Sequence, residues 1–188
     1  MFVAILHNIR SLHNVGSIFR TADGAGVSKI YLTGYSPSPT DRFGNKRKQL
    51  TKVSLGAEDS VPWEKQNDIT KLINNLRAER YKIFAVEQHK NSVPYNTPSL
   101  SPPILGGEKT ALIVGNEIRG LSAVVLKQAD QIVEIPMRGK KESLNVAVAF
   151  GIAAYHFINI TPPLPSPFHL RQGYGGSSTR GGKKRKVI

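Results

Sequence analysis

The chain has 188 residues, a length typical of one domain. It contains no cysteine, which excludes disulfides, thiolate metal sites and a cysteine nucleophile. Its formal net charge of +13 favours a polyanionic partner, RNA or DNA, over a merely soluble basic protein with a solvated tail.

Five short apolar runs predict β-strands, and helical patterns lie between them. The runs are continuous rather than alternating, which is typical of strands covered on both faces. Apolar residues recur with helical spacing over residues 15–22 and 69–76. The sequence therefore predicts an α/β fold, a mostly parallel sheet with helices on both faces, and a ligand site beyond the carboxyl ends of the strands. The predicted strands are residues 2–6, 29–32, 82–86, 111–114 and 131–135.

The end of the chain divides into an apolar helix and a polar tail. Residues 144–160 are apolar nearly all round, so this helix must be covered on several sides by its own chain or by a second subunit. Residues 162–188 are rich in Pro, Gly, Ser and Lys, which is typical of a flexible tail after a single domain of residues 1–161. Residues 169–188 contain six basic residues and no Asp or Glu.

The termini and apolar stretches also bear on location. Residues 1–6 are typical of a strand and not of a signal peptide, because no basic segment or cleavage site accompanies them. The longest apolar stretch, 146–160, contains His156 and Asn159 and is too short to span a membrane. A cytoplasmic location is expected.

The first polar loop precedes the helix of residues 15–22. Asn14 is either the N-cap of that helix or a functional side chain. Gly16 and Arg20 are four apart and share a face, so we expect the glycine to open space beside Arg20. A guanidinium there suits a phosphate oxygen; the alternative is a solvated surface arginine.

Two further loops follow the strands 111–114 and 131–135. In the first, Glu117 either pairs with Arg119 or orients Arg20 or a substrate hydroxyl. In the second, Ser143 is either the N-cap of the last helix or, with Asn145, a polar group presented at its N-terminus.

Taken together, these segments resemble the SpoU class, also called the TrmH class, of the SPOUT RNA methyltransferases. The similarity runs in the order of the family's motifs, from residue 1 to about residue 160. It implies S-adenosylmethionine as methyl donor, a ribose 2′-hydroxyl of tRNA or rRNA as acceptor, a homodimer, and a deep trefoil knot near the carboxyl end of the domain. The matching segments are residues 14–23, 112–121, 135–139 and 143–149.

The resemblance also implies roles for single residues. Cofactor contacts, mostly through the backbone, are implied for Gly115, Ile135 and Leu144, with Met137, Val86 and Glu87 as further candidates. The polar catalytic set of the family matches Asn14, Arg20, Glu117, Ser143 and Asn145.

The role of Arg20 has two interpretations. A neutral ribose hydroxyl is a poor nucleophile, so its proton must be removed or its anion stabilised. The base proposed for the family corresponds to Arg20, although a guanidinium holds its proton with a pKa above about 12. Alternatively, Arg20 pairs with a neighbouring phosphate and lowers the pKa of the hydroxyl electrostatically.

RNA affinity is expected from two basic clusters and the tail; the alternative for residues 42–48 is a solvated loop. If all six tail charges reach phosphates, their removal lowers the log–log salt slope of binding by roughly 5. The two basic clusters are Arg42, Lys46, Arg47 and Lys48, and Arg138, Lys140 and Lys141.

No metal site is predicted, because the five histidines show no ligand spacing.

Three rival functions fit parts of the pattern. The main rival is a non-catalytic RNA-binding protein of the same fold, which has no need of Arg20, Glu117 and Asn145. A methyltransferase acting on a base is disfavoured by the pairing of Asn14 with Arg20. A dinucleotide-dependent oxidoreductase is disfavoured because no Gly-x-Gly-x-x-Gly follows the first strand.

Overall fold

A computed structural model describes residues 1–98 and 109–159. The predicted tail, residues 162–188, lies outside these ranges, as does the end of the predicted last helix at residue 160. The described part of the chain forms a seven-stranded sheet in which every strand pairing is parallel, in the order β3-β2-β1-β6-β4-β7-β5. The strands are β1 Phe2–His7, β2 Lys29–Thr33, β3 Trp63–Gln66, β4 Tyr81–Val86, β5 Val93–Pro94, β6 Lys109–Val114 and β7 Gln131–Glu134.

Helices cover both faces of this sheet, which confirms the predicted α/β architecture. On one face α1 and α6 pack over the strands, with the Phe84 and Phe157 rings 4.6 Å apart between them. On the other face α4 and α5 cover β1, β4 and β6. The helices are α1 Leu12–Ala25, α2 Lys48–Ser54, α3 Ala57–Ser60, α4 Ile69–Ala78, α5 Ala123–Leu126 and α6 Val146–Asn159.

All five predicted strands are confirmed, within two residues at each end. The strands β3 and β5 were not predicted, because neither has an apolar run. β3 is a sheet-edge strand of sequence Trp-Glu-Lys-Gln, and β5 has two residues. The amphipathic faces of α1 and α4 point to the core as predicted, with Ile18, Phe19 and Ile73 fully buried.

The predicted reason for Gly16 is wrong. α2 crosses α1 at this residue, and a Cβ on Gly16 would lie 2.6 Å from the Leu50 carbonyl oxygen and 3.1 Å from the Val53 Cβ. The glycine therefore permits close packing of α2 on α1, rather than opening space beside Arg20.

Candidate functional site

A cavity of about 210 Å³ opens at the carboxyl ends of β4, β6 and β7, the edge predicted for a ligand site. All six predicted cofactor residues line it, together with Glu117 and Ser143 of the predicted catalytic set. The six are Gly115, Ile135, Met137, Leu144, Val86 and Glu87.

Two glycines keep the backbone of this cavity close-packed. A Cβ on Gly115 would lie 2.7 Å from the Gly120 carbonyl carbon, and a Cβ on Gly120 would overlap the Glu87 carboxylate. Gly120 also has a backbone φ of 61°, which residues other than glycine rarely adopt. Glu87 holds the turn, since its Oε2 accepts the Leu121 N–H at 2.7 Å. Gly120 belongs to the matching segment 112–121, but no individual role was predicted for it.

The Glu117 carboxylate lies at the wall shared by the cavity and the N-terminus of α1. It accepts the backbone N–H groups of Arg10 at 3.0 Å and Ser11 at 3.1 Å, and the Asn14 amide at 2.9 Å. Burial opposes its ionisation, but these donors favour the charged form more strongly and lower the pKa of Glu117 below its ordinary value. Glu117 is therefore a fixed anion at the positive end of α1.

Asn14 is not the N-cap of α1, which is one of its two predicted roles. Ser11 is the N-cap, and Asn14 lies buried in the first turn. The Asn14 amide nitrogen donates to Glu117, and its oxygen accepts from the Asn145 amide nitrogen at 3.1 Å. The loop after β6, the first turn of α1 and the residue before α6 thus each contribute one side chain to a hydrogen-bonded chain, Glu117–Asn14–Asn145.

The last helix begins at Val146, two residues later than predicted. The hydrogen bonds of its first turn go to Asn145, which is therefore the N-cap rather than Ser143. The Asn145 oxygen accepts the Ala147 N–H at 2.8 Å, while its nitrogen is the donor to Asn14. Capping and network membership are therefore two functions of one side chain. Ser143 is exposed and lines the cavity.

Arg20 is not part of the cavity. It lies exposed in a neighbouring groove of about 820 Å³ between α1 and α2. Within residues 1–98 and 109–159 its side chain makes no hydrogen bond or ion pair, and neither predicted contact of Glu117, with Arg20 or with Arg119, is formed. The groove is lined by Arg10, Ser11, Leu12, His13, Arg20, Gln49, Lys52 and Val53.

The groove and the cavity meet at the N-terminus of α1. Ser11 lines the groove, and its N–H is bonded to Glu117, which lines the cavity. A ligand held in the groove therefore lies beside the cavity.

The predicted RNA-binding residues differ in how free they are. Lys46 is engaged within the protein, 2.5 Å from Asp59 and 3.8 Å from Glu58, and the guanidinium of Arg42 lies 4.6 Å from the centre of the Phe43 ring. Arg47 donates to the Thr40 carbonyl at 3.4 Å. The remaining four, Lys48, Arg138, Lys140 and Lys141, are exposed.

Asn116, between Gly115 and Glu117, organises the corner where the cavity meets β1 and β2. Its buried amide nitrogen donates to the Asn8 carbonyl and to the Tyr35 hydroxyl, both at 3.0 Å, and its oxygen accepts the Arg119 N–H at 2.8 Å. Its place in the sequence, between Gly115 and Glu117, was the feature that could have indicated this role.

In the described residues no group of His, Asp and Glu side chains is placed to hold a metal ion.

No helix in the described part of the chain has the length and apolarity needed to cross a membrane.

Comparison with known proteins places these features in a family. The sequence profile of the SpoU rRNA Methylase family matches residues 1–155. The 23S rRNA (guanosine(2553)-2′-O)-methyltransferase RlmP of Bacillus subtilis is 32% identical over 154 residues, which are 82% of this chain and 56% of that protein. The chain thus spans about half the length of the curated relatives it matches.

Two solved structures are similar over most of the chain. An AdoMet-bound rRNA methyltransferase from Sinorhizobium meliloti has a TM-score of 0.72 at 28% identity, covering 84% of this chain and 55% of that one. A structure reported for 2-OH methylation of C/U34 on tRNA has a TM-score of 0.68 at 25% identity, covering 85% of this chain and 95% of that one.

Proposed function

We propose, since the chain belongs to the SpoU rRNA Methylase family, that it transfers a methyl group from S-adenosylmethionine to a ribose 2′-hydroxyl of tRNA or rRNA. The observation that carries this proposal is the junction of cavity and network. Three of the four matching family segments line the cavity, and the Glu117–Asn14–Asn145 chain borders it. Relatives named as rRNA 2′-O-methyltransferases support the reaction class.

The cavity residues fit S-adenosylmethionine. Gly115 and Gly120 let the loop after β6 fold tightly onto itself and onto Glu87, because a Cβ on either residue would collide with neighbouring atoms, and this close packing shapes the cavity wall. Ile135, Met137 and Leu144 offer an apolar wall, which suits an adenine ring. Glu87 supplies a negative carboxylate for a cationic ammonium or sulfonium group.

When bound, S-adenosylmethionine supplies a methyl on a sulfonium, which becomes a neutral thioether as the ribose oxygen takes the methyl and releases its proton to water. Arg20 binds a phosphate of the RNA in the groove, and its fixed positive charge lowers the pKa of the adjacent 2′-hydroxyl. The network fixes α1 relative to the cavity, and so fixes the position of Arg20. Ser143 orients the ribose from the cavity wall.

We also propose that the protein works as a homodimer through α6. Val148 and Tyr155 are exposed by 51% and 46%, and they share one face of the helix because they are seven residues apart. Leu144, 37% exposed, lies at the cavity two residues before this helix begins. Light scattering should give the mass of two chains for the native protein and of one chain for Val148→Glu; equal masses would contradict this interface.

The chain from β4 to α6 is further proposed to form the deep trefoil knot that the family resemblance implies. The Gln88 amide donates to the Glu142 carbonyl at 2.7 Å, so the segment before α6 returns to the end of β4. A crystallographic trace from β4 to α6 tests this proposal. A helix α6 that passes outside the loop would contradict it.

The proposed location is the cytoplasm, where tRNA and rRNA are modified. The proposed domain is residues 1–161, followed by the tail.

The function itself is tested by mapping 2′-O-methyl sites in RNA from cells with and without the protein, and by transfer of labelled methyl to purified tRNA and rRNA fractions. The proposal expects one site to disappear and the purified protein to restore it. RNA binding without transfer would instead favour the non-catalytic rival.

A further inference from the structure

Tyr35 is an exposed aromatic residue that is held at both ends. Its residue surface is 56% exposed, yet its backbone N–H donates to Asn8 Oδ1 at 3.2 Å and its hydroxyl accepts from Asn116 at 3.0 Å. Gly34, with a φ of 60°, makes the turn that presents it after β2. A fixed aromatic face in water loses little conformational entropy when a flat ligand stacks on it.

Tyr35 lines a cleft whose charged groups are basic. The cleft, about 480 Å³, is formed by Arg10, Tyr35, Asn116, Ile118 and Arg119. Both arginines are exposed, and within the described ranges neither guanidinium forms an ion pair. Ile118, 78% exposed, adds an apolar surface. Aromatic and apolar faces beside unpaired arginines are the composition of sites that bind unpaired nucleotides.

The cleft adjoins the proposed reaction site on both sides. Arg10 lines the cleft and also the groove that contains Arg20. Asn116, which holds the Tyr35 hydroxyl, also lies 3.4 Å from Glu117 at the cavity wall. Arg10 therefore connects the groove proposed to hold the RNA phosphate with the cleft.

We propose that this cleft binds the base of a nucleotide directly adjacent to the methylated one, stacked on Tyr35, with its phosphate at Arg10 or Arg119. This inference rests on the proposed function and adds a requirement to it. A base stacked on Tyr35 has left its helix, so the target ribose lies in a loop or another unpaired segment of the RNA. Tyr35 is a substrate-positioning residue in this scheme and takes no part in methyl transfer.

The test is a double-mutant cycle between protein and RNA. The RNA is a synthetic stem–loop that carries the mapped methylation site. Two abasic versions of it are made: one lacks the base of the nucleotide on the 5′ side of the site, and the other lacks the base of the nucleotide on the 3′ side. In the native protein one of the two abasic RNAs should bind about tenfold more weakly, the value of one base–aromatic stack. In Tyr35→Leu that penalty should vanish, since the stack is already lost; an undiminished penalty would overturn the proposal.

Matched variants separate stacking from other effects. Tyr35→Phe keeps the ring and should bind RNA nearly as the native protein does. Phe43→Leu removes another exposed aromatic, outside the cleft, and should keep the full abasic penalty. Both variants and Tyr35→Leu should bind S-adenosylmethionine normally in calorimetry, which shows that the fold is intact. An equal loss of the penalty in Phe43→Leu would overturn the assignment to Tyr35.

The two levels of the proposal fail differently. If the native protein transfers no methyl to any RNA fraction, the proposed function is wrong. If it transfers methyl but neither abasic RNA is penalised, the function stands and the cleft proposal is wrong.

Discussion

The amide of Asn145 donates a hydrogen bond to the oxygen of Asn14 at 3.1 Å, joining side chains 131 residues apart. Asn14 in turn donates to Glu117 at 2.9 Å. Each amide has one donor end and one acceptor end, so these bonds fix the orientation of both asparagines. The starts of α1 and α6 are thereby locked to the cavity wall, and the proposed site depends on all three side chains.

Asn145 can be tested separately as a cap and as a network member. Asn145→Ser keeps a good N-cap for α6 but is too short to reach Asn14. We expect its thermal stability to stay close to native while methyl transfer falls at least about tenfold, the effect of losing one positioning contact. Asn145→Ala should lose transfer and also about 1 kcal/mol of stability, measured by urea unfolding. Native activity in Asn145→Ser would show that the link to Asn14 is not needed.

Glu117 should stabilise the fold through its charge. In Glu117→Gln an NH₂ group faces N–H donors, so we expect a loss of about 1–2 kcal/mol in the free energy of unfolding at neutral pH. Glu142→Gln, at an exposed carboxylate, is the control and should change little.

The same variant has a predicted pH dependence. Folding lowers the pKa of Glu117. The contribution of its charge to the free energy of unfolding is therefore complete above the unfolded-state pKa, and it is lost as the pH falls through the folded-state pKa. The gap in stability between native protein and Glu117→Gln should therefore close in acid. A gap that stays constant as the pH falls would argue against an ionic role.

Arg20 should be required for transfer and not for cofactor binding, because it lies outside the cavity. We expect Arg20→Ala to abolish methyl transfer while calorimetry gives an unchanged affinity for S-adenosylmethionine. Lys71→Ala, on the distant helix α4, is the control. Unimpaired methylation by Arg20→Ala would remove this residue from the mechanism.

Gly120 should be required for cofactor binding. Alanine there meets the Glu87 carboxylate and an unfavourable φ, which together cost about 1–3 kcal/mol. We expect Gly120→Ala to weaken the binding of S-adenosylmethionine by about fivefold or more, since 1.4 kcal/mol is a factor of ten. Gly139→Ala is the matched control, because no atom lies within 4 Å of its added Cβ. Equal affinities of the two variants for S-adenosylmethionine would contradict the proposed role of Gly120 in cofactor binding.

The basic tail should add to RNA affinity in a salt-dependent manner. Replacing its six Lys and Arg residues by Gln should lower the slope of log K against log salt concentration by roughly 5 if all of them reach phosphates. Binding titrations at several salt concentrations measure this slope. An unchanged slope would show that the tail does not contact RNA. The replaced residues are Arg171, Arg180, Lys183, Lys184, Arg185 and Lys186.

The sequence predicted the sheet and the cavity well because both depend on local patterns. Continuous apolar runs marked five strands, and the loops after three of them line the cavity. It failed where a residue's role depends on a distant partner. Ser11 caps α1, while Asn14 bonds to Glu117, 103 residues away. Gly16 packs against α2, a helix that no apolar periodicity had indicated. The hydrogen bond between Asn116 and Tyr35 was missed for the same reason, since it spans 81 residues.

The pairing of β1 with β6 has a consequence for how the protein is made. The amino-terminal strand has a neighbour more than a hundred residues later, so half of its hydrogen bonds wait until β6 has left the ribosome. Contacts of such long sequence separation form slowly and late in folding. The proposed site therefore cannot assemble on an emerging chain until β6 and the segments that follow it, through Asn145, have been synthesised.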